Sequence, residues 1–125
     1  MLVAGGYDGT TGLTSGEVFD PGTNTWTPVA NSMNSGHVGP ATMPLPGGKV
    51  LVFGGVTSLT GVLAPTPAAE IYDPLTNEFT QTGNMVTSRL IPSVAALTDG
   101  RVLAAGGIAS IGGLTPIFFP TAEIS

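Results

Sequence analysis

The run Val50-Leu51-Val52-Phe53-Gly54-Gly55 decides the fold of this chain, because it is apolar without alternation, ends on two glycines and occurs three times. Leu2-Val3-Ala4-Gly5-Gly6 precedes it and Val102-Leu103-Ala104-Ala105-Gly106-Gly107 follows it. A short apolar run closed by glycine reads as a β-strand, and the lack of alternation requires both faces to be covered. A second motif travels with the first. Glu17-Val18-Phe19-Asp20-Pro21 returns as Glu70-Ile71-Tyr72-Asp73-Pro74, and Glu123-Ile124 opens a third copy. Thr23-Asn24-Thr25-Trp26-Thr27 returns as Thr76-Asn77-Glu78-Phe79-Thr80. Several elements in fixed order at a period near fifty residues are the signature of a repeat architecture.

Four strands fit each unit. Strand A covers roughly residues 38–45 and 91–97, strand B is the Gly-Gly run, strand C is the Glu-apolar-aromatic-Asp segment, and strand D centres on Trp26 or Phe79. Pro46-Gly47-Gly48 and Asp99-Gly100 separate A from B as hairpin turns. Between C and D lies Asp-Pro-x-Thr-Asn, where proline presets φ and the Asp and Asn side chains bond nearby backbone. Strand D alternates, which predicts one covered face. The B–C connection alone changes length between copies, as a surface loop does. The expectation is an all-β chain of ten strands in three successive sheets, with no helix beyond a single turn. Residues 1–29 form a partial B-C-D blade, 37–81 a complete blade and 90–125 a partial A-B-C blade.

These residues give the chain a resemblance to a known family. Four-stranded units with Gly-Gly closing the second strand and an aromatic pair downstream resemble kelch repeats, which build β-propellers. Asp99-Gly100-Arg101-Val102-Leu103 and Ala69-Glu70-Ile71-Tyr72-Asp73-Pro74 look most like the bacterial kelch repeats of galactose-oxidase-like propellers. The resemblance assigns a structural signature to Gly5, Gly6, Phe19, Trp26, Gly54, Gly55, Tyr72, Phe79, Arg89, Gly106 and Gly107. It places Trp26 and Phe79 at equivalent positions, each packed between blades near a Gly-Gly pair. The arginine of the family is Arg89 in one copy and His37 in the other, and a histidine of the family is replaced by Pro40 and Pro92.

Composition narrows the function. Of 125 residues, 42% are hydrophobic and only 9% charged, with a net charge of −5. So few charges imply that much of the surface is covered by something else. The three basic residues, Lys49, Arg89 and Arg101, are scattered, so no stripe tracks a phosphate backbone and nucleic acid is not an expected partner. No apolar run reaches the roughly 20 residues of a membrane-spanning helix, and no segment reads as a signal peptide. His37 is the single histidine and cysteine is absent, so neither a nucleophile–base pair nor a ligand set for copper, zinc or calcium is spelled out. No catalytic residue, cofactor or metal is therefore expected. Glu17, Glu70 and Glu123, recurring once per blade, read as structural. The Gly-Gly pairs end strands and precede no helix, so they are not phosphate cradles; the expected neighbour of each is the strand-C or strand-D aromatic.

The B–C loops are the candidate binding elements: Tyr7 and Asp8 in the first, Thr57 and Ser58 in the second, and the apolar cluster Ile117-Phe118-Phe119 in the third. The expected function is a non-catalytic propeller scaffold presenting these loops to a protein or glycan, beside neighbouring blades of a parent chain. The resemblance also implies an alternative, the propeller portion of a copper radical oxidase. With no Cys, one His and two Tyr, its active site would lie outside this chain. A structural element of a secreted or envelope assembly is a third reading. One complete blade does not close a ring, and the two ends do not make one blade together. The isolated chain is accordingly expected to expose strand edges and to be insoluble, molten or polydisperse.

Overall fold

The computed structural model describes residues 1–60, 63, 65–110, 117–118 and 121–124. Over these residues the chain is all-β, with twelve strands: β1 (Leu2–Ala4), β2 (Gly16–Asp20), β3 (Thr25–Pro28), β4 (Ala41–Pro44), β5 (Val50–Phe53), β6 (Ala69–Asp73), β7 (Glu78–Gln81), β8 (Ser93–Ala96), β9 (Val102–Ala105), β10 (Ile108–Ser110), β11 (Ile117–Phe118) and β12 (Ala122–Ile124). They form antiparallel sheets in the orders β1-β2-β3, β4-β5-β6-β7, β12-β9-β8 and β10-β11. The only helical element described is a 3-10 turn at Pro46–Gly48, where Gly47 takes φ 79°.

The register repeats from sheet to sheet. Phe53 faces Ala69 and Leu51 faces Ile71, just as Ala105 faces Ala122 and Leu103 faces Ile124. The turns between strands C and D repeat too. Asn24 and Asn77 adopt φ of 57° and 55°, a left-handed conformation that asparagine tolerates. The Asp20 carboxylate accepts from the Gly22 amide at 2.8 Å, and Asp73 accepts from Leu75 at 2.9 Å.

The strand number departs from the expected ten in three sheets. The additional pair, β10 and β11, lies inside the third B–C connection. All three connections fold back on themselves after Gly-Gly, through the bridges Tyr7–Gly12 and Val56–Pro65 in the first two. The third and longest has enough chain to widen that bridge into a ribbon.

The first core fills the space between the first and second sheets, around Val29, Met33, Val52, Tyr72 and Phe79. Phe79 meets Tyr72 edge-on at 5.8 Å and lies over Gly16, where a Cβ would come within 2.7 Å of the ring. The Asn31 amide holds the Phe79 backbone at both ends, donating to its carbonyl at 2.8 Å and accepting from its N–H at 2.7 Å. A second core, between the second and third sheets, gathers Phe53, Ala69, Val102 and Ala104.

Trp26 corrects the sequence reading. It pairs across the ladder with Phe19 as Phe79 does with Tyr72, so the two aromatics occupy equivalent places within their sheets. Phe79 is covered by the sheet before its own, whereas Trp26 stays 49% exposed against the Phe19 ring at 5.0 Å. No described residue supplies a sheet on that side, and all of β3 is exposed, not one face of it. Nor does Phe79 rest on a Gly-Gly pair; its seat is Gly16. Phe79→Ala is therefore expected to cost about 3–5 kcal/mol and Trp26→Ala at most about 1 kcal/mol. Protease-resistance titration of singly displayed chains measures both, and equal losses would contradict this packing.

Candidate binding face

The B–C loops project from a frame built on the Gly-Gly pairs, and the frame explains the glycines. Gly5 and Gly54 adopt φ of 73° and 69°. A Cβ on Gly5 would stand 2.3 Å from the carbonyl oxygen of His37, and one on Gly54 would stand 2.7 Å from that of Arg89. A Cβ on the second glycine would meet a carbonyl of the strand-A segment of its own sheet, 2.4 Å from that of Val38 at Gly55 and 2.9 Å from that of Leu90 at Gly107. The neighbour of each pair is thus backbone of the segment leading into strand A, not the aromatic ring expected from the sequence. Only glycine permits that approach at positive φ.

His37 and Arg89, at matching places in successive repeats, each tie two sheets together. The His37 carbonyl accepts from Gly6 of the first sheet at 2.8 Å, and the Arg89 carbonyl accepts from Gly55 of the second at 3.3 Å. Their side chains turn the other way, into their own sheets, and both are buried. Arg89 donates from one guanidinium nitrogen to the carbonyls of Gly106 and Thr121, at 2.7 and 2.9 Å, and from the other to the Thr121 hydroxyl. His37 Nδ1 donates to the carbonyl of Gly54, the counterpart of Gly106, at 2.8 Å. That bond places a proton on Nδ1, since a carbonyl only accepts. Nε2 makes no hydrogen bond and lies 3.6 Å from Oε1 of Glu70. The same Glu70 oxygen accepts from the Ser35 amide at 3.1 Å, holding the corner that presents His37. Glu17, the matching residue one repeat earlier, is exposed, so the recurring glutamates do not share one environment.

Above this frame the first two loops lie side by side. The Gly12 amide donates to the Thr57 carbonyl at 2.9 Å, and a Cβ on Gly12 would reach within 2.6 Å of that oxygen. Tyr7 is half-buried at the root of the first loop. Asp8, Thr10 and Thr11 are exposed beyond it, and Thr57 and Ser58 stand on the adjoining loop, Ser58 half-buried. Asp8 caps its own turn, accepting from the Thr10 and Thr11 amides at 2.8 Å each. These bonds favour the ionised carboxylate and hold its pKa below the ordinary Asp value. The capped turn is accordingly complete at neutral pH and is lost as pH falls through that lowered value. Ile117 and Phe118 form β11, paired with β10, while Phe119 lies outside the described residues. Among the described residues no three His, Cys, Asp or Glu side chains group as metal ligands, and no helix is long and apolar enough to cross a membrane.

Three features of the frame were absent from the sequence reading: the Asn31 clamp, the Gly16 seat and the backbone approach at Gly-Gly. The recurrence of Asn31 as Asn84 is the one signal that pointed to any of them.

Among known protein families, the one described as Kelch motif matches residues 1–33 and 39–86, more than half of the chain. No curated protein matches it.

Removing the Arg89 side chain deletes its charge-assisted bonds to the Gly106 and Thr121 carbonyls, each worth about 1.5–3 kcal/mol, and leaves the Thr121 carbonyl with the Gly106 amide as its partner. Arg89→Ala is expected to destabilise the chain by about 3 kcal/mol or more in the same protease titration. A loss under about 1 kcal/mol would show that the guanidinium is not holding the third sheet.

Proposed function

The chain belongs to the Kelch-motif family, whose repeats are generally protein-interaction scaffolds, and from that premise we propose that it binds a protein partner through its B–C loops. The observation that carries this reading is the bond from Gly12 to Thr57, which fuses two loops from successive sheets into one surface. That surface is built of hydroxyls and backbone with Asp8 as the charged group on the described loops. It stands on glycines and buried staples that leave the loops free to vary, and loops on a rigid scaffold are where binding residues concentrate. The family is mostly non-enzymatic, and the chemistry of the described part of the face suits binding, with hydroxyls and amides to fix a partner's orientation. Neither a copper-oxidase role nor a glycan ligand has a specific observation in its favour.

A photo-crosslinking residue placed at Thr10 or Thr57 is expected to give a discrete protein adduct in cells. The same residue at Leu75, 90% exposed in the C–D turn at the opposite end of the second sheet, serves as the comparison. An adduct at Leu75 with none at Thr10 and Thr57 would move binding to the other end of the sheets. A glycan adduct would change the partner class.

A further inference from the structure

Ile91 is held in a backbone conformation that isoleucine resists. Its φ is 53°, in the left-handed region, and it is the one β-branched residue at positive φ among those described. A Cβ crowds the following carbonyl there, and branching at Cβ adds to the crowding. Pro92 follows, and a residue before proline favours extended backbone. The conformation is imposed from both sides. Leu90 exchanges both backbone bonds with Ile108, at 3.1 and 2.8 Å. Leu90 and Pro92 also lie over Gly107, where a Cβ would stand 2.9 Å from the Leu90 carbonyl oxygen and 3.4 Å from the Pro92 Cα.

One repeat earlier the same turn is made by glycine. Gly39 takes φ 62° between Val38, bonded both ways to Val56 at 2.7 and 3.0 Å, and Pro40. Glycine makes this turn without strain, so the fold itself does not call for an isoleucine at 91. Packing does not call for it either, because the side chain is 71% exposed. Gly39 shows that this exposure belongs to the position. Cores join the second sheet to the first and to the third, and a Cβ on Gly39 would still meet nothing within 4 Å. Backbone strain of this kind concentrates at functional sites, where it persists for what it presents.

We propose that Ile91 is a specificity-determining residue of the loop face, whose side chain enters an apolar recess on the protein partner. The inference rests on the reading of that face as a protein-binding surface and names an apolar contact within it. The Leu90–Ile108 bonds set Ile91 at the root of the third B–C loop, as the Val38–Val56 bonds set Gly39 at the root of the second. Ile91 therefore stands at the same end of the sheets as Thr10, Thr11 and Thr57, which are exposed and polar. Hydroxyls exchange water for a partner at small net gain, whereas an apolar side chain within a polar surround is the usual make-up of a protein interface. Fixed on both sides, Ile91 is also preorganised and loses little backbone freedom on binding.

The test places the photo-crosslinking residue at Thr57 in chains that differ only at residue 91. It reads adduct yield in cells, with protease titration of the displayed chains beside it. Ile91→Gly is expected to raise the folded-to-unfolded ratio at least about threefold by releasing the strain, and to cut the adduct at least about tenfold. Ile91→Asn, polar and tolerant of left-handed backbone, is expected to cut the adduct equally without loss of stability. Ile91→Val, still apolar and branched, is expected to keep most of it. An adduct undiminished in the glycine or asparagine chain would overturn the inference and leave the loop reading standing. Equal protease resistance of the glycine and isoleucine chains would also overturn it, since there would be no strain to explain. No adduct at Thr57 or Thr10 with Ile91 in place would overturn the loop reading and this inference with it.

Discussion

The seating of one carbonyl on one glycine organises this molecule. At residues 37 and 89 the backbone of an incoming strand-A segment rests directly on the first glycine of the preceding repeat, closer than any Cβ would allow. The same residue's side chain reaches into its own sheet and binds the carbonyl of the matching glycine there. Each repeat is therefore hydrogen-bonded to the one before through backbone and closed on itself through a buried side chain. The apolar cores fill in around these points, and the loops rise from them.

The two staples use different chemistry at the same position. A guanidinium offers several donors in a fixed plane and satisfies two carbonyls and a hydroxyl at once. An imidazole offers a single donor here and leaves its second nitrogen 3.6 Å from a buried carboxylate. The His37 side chain thus holds its own sheet with fewer bonds than Arg89 does, while the first two sheets are also joined through Asn31 to Phe79 and through Gly12 to Thr57.

Much of this was legible in the sequence because the chain says the same thing more than once. The Gly-Gly runs, the recurring Glu-x-aromatic-Asp segments and the Asp-Pro-x-Thr-Asn turns fixed strand identity and order, and the family resemblance together with the repeat spacing made Arg89 and His37 recognisable as counterparts. What escaped was whatever depends on a neighbour. Trp26 and Phe79 share a register position, but burial is decided by whether a sheet lies beyond, which periodicity within one blade does not encode. The partner of each Gly-Gly pair is a peptide carbonyl, and backbone carries no residue-type signal. The ribbon of β10 and β11 arises from loop length, where composition gives little guidance. For the binding face, the loops were identified from their variable length, yet the bond that joins the first two runs between backbone atoms of Gly12 and Thr57.

Amide hydrogen exchange at Gly6 and Gly55 tests the account most directly, because these two N–H groups donate across the sheet junctions to His37 and Arg89. The account predicts that both exchange as slowly as the interior amides of β5 and β6, although each belongs to no strand. Exchange as fast as that of the exposed loop residues Thr10 and Thr60 would contradict it, since the backbone junctions at the two glycines would then be open.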